Sequence, residues 1–120
     1  MSGTKFLTAV IAALIVSISV YGYDKAKVDS YIREAKYYTK QAQEYDKEVA
    51  YYFRQAQGYL REAEYYSKRE KYDVVRSYMR KAKDASDKAE SYKRKADNAR
   101  DKAKSYMRKA EIALQNAKNR

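Results

Sequence analysis

The sequence predicts an all-α protein: a long antiparallel helical hairpin, a coiled coil with Tyr/Ala heptads, assembling into a helical bundle. Three observations carry that prediction. The 120 residues contain no Pro and only three Gly, so turn chemistry is scarce and continuous helix is the default. Tyr (fifteen copies) and Ala recur every seven residues along nearly all of the chain after Gly22. The seven-residue spacing breaks once, near Glu70, and resumes out of phase.

The first 22 residues stand apart. They carry one charged side chain, Lys5, followed by an apolar run from Phe6 to Val20 interrupted only by Thr8, Ser17 and Ser19. A short basic start, an apolar stretch and small residues at its end fit a secretory signal peptide. Val20 and Gly22 suit the positions before a cleavage site, which places the cut after Gly22. The competing reading is an uncleaved membrane anchor through residues 6–22, with Tyr21 and Tyr23 at the interface. Either reading puts the protein outside the cytosol (periplasmic, cell-surface or extracellular) or on a membrane.

Residues 23–120 form the predicted hairpin, with arms at about 24–68 and 73–118 and a turn at about 69–72. In the first arm YYTKQAQEYDKEVA (37–50) and YYFRQAQGYLREAE (51–64) are two copies of one unit, and a third begins at Tyr65. In the second arm SYMRKA (77–82), SYKRKA (91–96) and SYMRKA (105–110) recur at the same interval. That interval is two heptads, the period of a left-handed supercoil. The seam follows. Val28, Ala35, Ala42, Val49, Ala56 and Ala63 occupy a in the first arm, with Tyr31, Tyr38, Tyr45, Tyr52, Tyr59 and Tyr66 at d. In the second arm Val75, Ala82, Ala89, Ala96, Ala103, Ala110 and Ala117 occupy a, with Tyr78, Ala85, Tyr92, Ala99, Tyr106 and Ala113 at d.

Between the two frames lie five extra residues, neither a stutter of four nor a stammer of three, so the chain turns there. Lys68 and Arg69 suit the negative end of the first helix, and Asp73 is the expected N-cap of the second. The stretch YYSKREKYDVVRSYMRKA, from Tyr65 to Ala82, resembles the turn of a tetratricopeptide helical pair, with Tyr-Asp after the turn and Tyr-x3-Ala on the next helix. The resemblance implies a hairpin here. The arms lack that family's 34-residue period.

Side-chain size fixes the direction of pairing. Antiparallel arms place a opposite d, so Tyr59 meets Ala82, Tyr52 meets Ala89, Tyr45 meets Ala96 and Tyr38 meets Ala103. In return Ala63 meets Tyr78, Val49 meets Tyr92 and Ala35 meets Tyr106. Large against small suits the uniform density of interiors, and parallel arms would stack Tyr on Tyr and Ala on Ala. The layers Ala42–Ala99 and Ala56–Ala85 stay narrow. Beside the first seam lie Tyr37, Tyr51 and Tyr65 on one flank and Ile32, Phe53 and Leu60 on the other. These suggest a second buried face, hence self-association through Tyr37, Tyr51, Tyr65, Phe53 and Leu60 into a four-helix bundle with first arms inside.

Charge is uneven. Residues 23–70 carry 10 basic and 9 acidic side chains, and residues 71–120 carry 16 and 7, so the second arm is a basic rod. Its candidate polyanion-binding residues are Arg80, Lys81, Lys83, Lys93, Arg94, Lys95, Arg108 and Lys109, with i,i+4 pairs expected at Asp84–Lys88 and Glu90–Arg94. No groove-reading motif is present, so sequence-specific nucleic-acid recognition is not expected. Without His or Cys, and with no acid or base on either seam, catalysis and zinc binding lack their usual groups. No enzyme activity, cofactor or metal is expected.

Two functions are consistent with these features. One is an exported structural or interaction protein, a coiled-coil scaffold or spacer of the cell envelope or exterior whose partner is itself. The other is a binding module whose basic second helix holds an anionic polymer or membrane surface (envelope polysaccharide, anionic lipid, DNA).

Overall fold

The computed structural model describes residues 25–118. The proposed signal or anchor, residues 1–22, lies outside them. Two helices fill the described chain: α1, Lys25–Ser67, of 43 residues, and α2, Tyr72–Lys118, of 47. Both are far longer than the helices of ordinary globular domains. Ala, Lys, Arg, Glu and Gln dominate them, residues that lose little on entering a helix. Neither is long and apolar enough to cross a membrane.

The turn occupies residues 68–71, one position earlier than the sequence suggested. Lys71 N–H donates to Tyr66 O at 3.1 Å and Glu70 N–H donates to Ser67 O at 3.0 Å. That reciprocal pair is a Schellman motif, which satisfies two carbonyls at the end of α1. Its left-handed position falls to Glu70, with φ 58°, where glycine is the usual occupant. Arg69 supplies a second clasp: its Nη1 donates to Tyr65 O at 3.1 Å while its guanidinium lies 3.6 Å from the centre of the Tyr65 ring. Asp73 is not the N-cap. α2 starts at Tyr72, and the first intrahelical carbonyl is that of Lys71, which accepts from Val75 N–H at 3.1 Å. Asp73 sits inside the first turn, where its charge still meets the positive end of the helix, and it pairs with Arg76.

The seam read from the sequence is the buried stripe of both helices. Every a and d residue from Val28 to Ala113 is buried or half-buried, most of the alanines deeply and the tyrosines in part. The chain divides into two compact units. One, Glu44–Ala96, contains the turn; the other joins the described residues up to Gln43 with those from Asp97 onward.

The two units are built differently. In the open-end unit, Val28, Ile32, Ala35, Met107 and Ala110 form a cluster of buried side chains, with Tyr31, Tyr106, Ala113 and Leu114 packed against it. Ile32 is 4% exposed, so it belongs to the hairpin's own core and not to the outer flank assigned from its spacing. Thr39 is also buried, and its hydroxyl donates to Ala35 O at 2.8 Å, which satisfies it within the helix. In the turn-proximal unit the fully buried residues are all alanine: Ala56, Ala63, Ala82, Ala85, Ala89 and Ala96.

Candidate functional site

Tyrosine does more in the seam than face alanine. Each second-arm d ring lies between two successive d rings of the first arm. Tyr92 is 6.1 Å from Tyr45, tilted by 37°, and 5.7 Å from Tyr52, nearly parallel at 7°. Tyr78 repeats this against Tyr59 (6.2 Å, 36°) and Tyr66 (5.7 Å, 7°). In the other unit Tyr106 does the same against Tyr31 (6.3 Å, 37°) and Tyr38 (5.8 Å, 7°). Along α1 the midpoint between Tyr31 and Tyr38 falls beside Ala35, so the antiparallel register expected from folding about the short turn is the observed one. Tyrosine is long enough to lean out of its layer onto the rings above and below it.

A fourth ring completes each cluster. Tyr37, Tyr51 and Tyr65 stand edge-on to Tyr38, Tyr52 and Tyr66 at 5.1, 5.0 and 5.0 Å, the geometry the ring quadrupole favours. These braces recur every fourteen residues, whereas the seam recurs every seven. They therefore mark which d ring receives the parallel partner. A slip of one heptad, which keeps large against small, would place that partner on an unbraced ring. Tyr37, Tyr51 and Tyr65 nonetheless remain largely exposed, as do Phe53, Leu60 and Met79.

Lysines cap the clusters. Lys81 lies 5.2 Å from the centre of Tyr78 and 6.0 Å from Tyr59; Lys88 lies 5.4 Å from Tyr52; Lys95 lies 5.0 Å from Tyr92. In the open-end unit Lys102 lies 5.3 Å from Tyr38 and Lys109 4.7 Å from Tyr106. Cations over ring faces contribute about 0.5–1 kcal/mol each at such exposed sites. These five lysines fall one heptad apart on α2, beside the seam. Lys88 and Lys102 were absent from the candidates drawn from basic runs. The signal for them was position relative to d, not clustering in sequence.

The eight sequence candidates thus divide by what they touch. Lys81, Lys95 and Lys109 lie over tyrosine rings. Lys83 pairs with Asp87 at 3.1 Å. Arg80, Lys93, Arg94 and Arg108 are exposed. Arg80, Arg94 and Arg108 share one heptad position off the seam, fourteen residues apart in sequence. The expected pairs Asp84–Lys88 and Glu90–Arg94 do not form. Lys88 takes the Tyr52 face instead, and the pairs present on the described chain include Lys83–Asp87, Asp97–Arg100, Glu44–Lys47 and Glu64–Lys68. All are largely exposed apart from Arg100 and contribute little to stability.

Where both seam residues are alanine, the wall between the arms recedes. At the Ala56–Ala85 layer this opens a cleft of about 380 Å³ between Tyr52 and Tyr59, bordered by Tyr51, Gln55, Lys81, Asp84 and Lys88. Among the described residues, no group of three or more His, Cys, Asp or Glu is placed to hold a metal ion. Comparison with protein-family models, with curated proteins and with solved structures found no match.

Proposed function

We propose that this protein is a non-catalytic structural protein, an exported coiled-coil scaffold or spacer of the cell envelope or exterior that assembles with copies of itself. The observation that carries the reading is the apolar side chains left exposed on the turn-proximal hairpin. Phe53 and Leu60 on α1 and Met79 on α2 are 42, 47 and 49% exposed, beside a seam whose own core is alanine. Large apolar side chains left exposed on one unit in this way fit an interaction site. First arms packed together would bury it and produce a bundle with the basic second arms outside. The signal-like residues 1–22 support export.

Sedimentation equilibrium of the chain at tens of micromolar tests the assembly. A dimer or higher oligomer is expected, and the double substitution Phe53→Ser with Leu60→Ser is expected to shift it to monomer without loss of helicity. A strict monomer in the unsubstituted protein ends the reading.

A second reading has its own observation. Arg80, Arg94 and Arg108 form an exposed row on α2. Such a row suits electrostatic attachment to an extended polyanion, with affinity falling steeply as salt rises. Binding to anionic vesicles or DNA that survives replacement of all three arginines by Gln counts against it.

A further inference from the structure

We propose that the cleft at the Ala56–Ala85 layer binds a uronic-acid-bearing segment of an acidic polysaccharide. The inference rests on the polyanion reading only for the sign of the ligand's charge. It places the contact on a different face of α2 from the arginine row and names the chemical class.

Shape comes first. Tyr52 and Tyr59 are one heptad apart, about 10 Å along the helix, and neither alanine between them fills the gap. The resulting volume of about 380 Å³ lies in the range of sites for small ligands. Tyr52 and Tyr59 bound the cleft, their rings already packed against Tyr92 and Tyr78, and the exposed Tyr51 extends the Tyr52 side outward. A pyranose ring presents C–H bonds with slight positive charge, and these pack against the negative face of an aromatic ring such as Tyr51.

The polar groups at the mouth complete the match. The Lys88 ammonium is held near Tyr52 and that of Lys81 near Tyr59, so both charges sit beside the walls. A ligand carboxylate accepts from either. Gln55 both donates and accepts, and the Asp84 carboxylate accepts from sugar hydroxyls.

Asp84 also decides between polyanions. It lies on α2 between Lys81 and Lys88 and forms no ion pair among the described residues, so its negative charge faces whatever enters. A chain of phosphates brings charge without any hydroxyl for Asp84 to accept from, and so meets only its repulsion. A uronate unit carries hydroxyls beside its carboxylate, so it meets two ammoniums and an acceptor that suits its hydroxyls. Inorganic polyphosphate and DNA offer no free hydroxyl along their backbones.

Isothermal titration of the full chain with an unsulfated hexauronate tests this, with a neutral hexaglucan, inorganic polyphosphate and phosphatidylglycerol vesicles as comparators. The hexauronate is expected to bind and the hexaglucan to bind at least about tenfold more weakly. Lys88→Gln and Tyr51→Ser, both at exposed positions, are each expected to weaken hexauronate binding about tenfold. Asp84→Asn is expected to weaken the hexauronate and strengthen polyphosphate, a change of opposite sign that unfolding does not produce. The Arg80→Gln, Arg94→Gln, Arg108→Gln triple variant is expected to weaken hexauronate binding less than Lys88→Gln does, since of the three only Arg80, one turn from Asp84, lies near the cleft. Loss of hexauronate binding in the triple variant with retention in Lys88→Gln overturns the cleft while leaving the arginine row standing. Tighter binding of polyphosphate or vesicles than of hexauronate to the unsubstituted protein overturns the ligand class. Absence of binding to every anionic probe removes both readings.

Discussion

The open end of the hairpin and its turn end use the same heptads with different side chains. Beside the seam, the open-end unit carries Ile32 and Met107, 4 and 7% exposed, gathered into a cluster with Val28 and Ala110. The turn-proximal unit carries Phe53, Leu60 and Met79 beside its seam, and all three are left in solvent. The turn end is closed covalently and clasped by the Schellman motif and Arg69, so alanine and half-buried tyrosine are enough to keep the arms together there. Among the described residues the other unit has no such link between α1 and α2, and helix ends fray unless packing holds them. Large side chains are buried where the described chain provides no closure, and the turn-proximal unit keeps Phe53, Leu60 and Met79 42–49% exposed.

The strongest way to break that comparison is to delete a large side chain at each end. Ile32→Ala is expected to destabilise the hairpin by about 2–4 kcal/mol in urea denaturation, the usual cost of a buried Ile→Ala change. Phe53→Ala in the monomer is expected to cost less, about 1–2 kcal/mol, since Phe53 remains 42% exposed after folding. Equal losses would show that the two ends hold together in the same way.

The tyrosine clusters sharpen the comparison within the turn-proximal unit. Tyr92→Ala removes a half-buried ring and two ring pairs at once, for about 2–3 kcal/mol, while Tyr51→Ala removes one brace and is expected to cost about 0.5–1.5 kcal/mol. If the braces set the register, a variant with Tyr37, Tyr51 and Tyr65 all changed to Ala will give mixed distances between spin labels on the two arms. A single unchanged distance would show that the turn alone fixes it.

The smallest effect lies in the turn. Glu70 holds a left-handed backbone without being glycine. Glu70→Gly is expected to stabilise the hairpin by about 0.5–1 kcal/mol, relief of side-chain strain outweighing the added freedom of the unfolded chain. A loss of stability would mean that the Glu70 side chain has a partner contact worth more than its strain.

Much of this was legible beforehand because a seven-residue repeat leaves few ways to bury an apolar stripe. The seam, the antiparallel sense and the turn near Glu70 all follow from spacing and from ring size set against alanine. The misreadings came where a side chain reaches beyond its own layer or competes for partners. Asp73 looked like a cap because its type suits one, yet the Schellman closure draws the first turn of α2 one residue earlier. Ile32 looked like an outward residue because Phe53 and Leu60 share its spacing, and only packing against Met107 separates them. Lys88 looked like half of an ion pair with Asp84 because their spacing allows it, but the Tyr52 face is the nearer surface for a flexible ammonium. The cleft was partly visible as a narrow alanine layer. Its polar mouth was not, since Gln55, Asp84 and Lys88 meet only when the arms are side by side.

By itself the sequence determined that there are two helices, which stripe of each is buried, and in which direction they run, because heptad periodicity and residue volume act along the chain and need no knowledge of the partner surface. Only the tertiary structure decided how the rings interleave, which lysines lie on them and where the wall opens. Those outcomes depend on distances across the seam, where a tyrosine reaches two layers and one missing side chain makes a cavity.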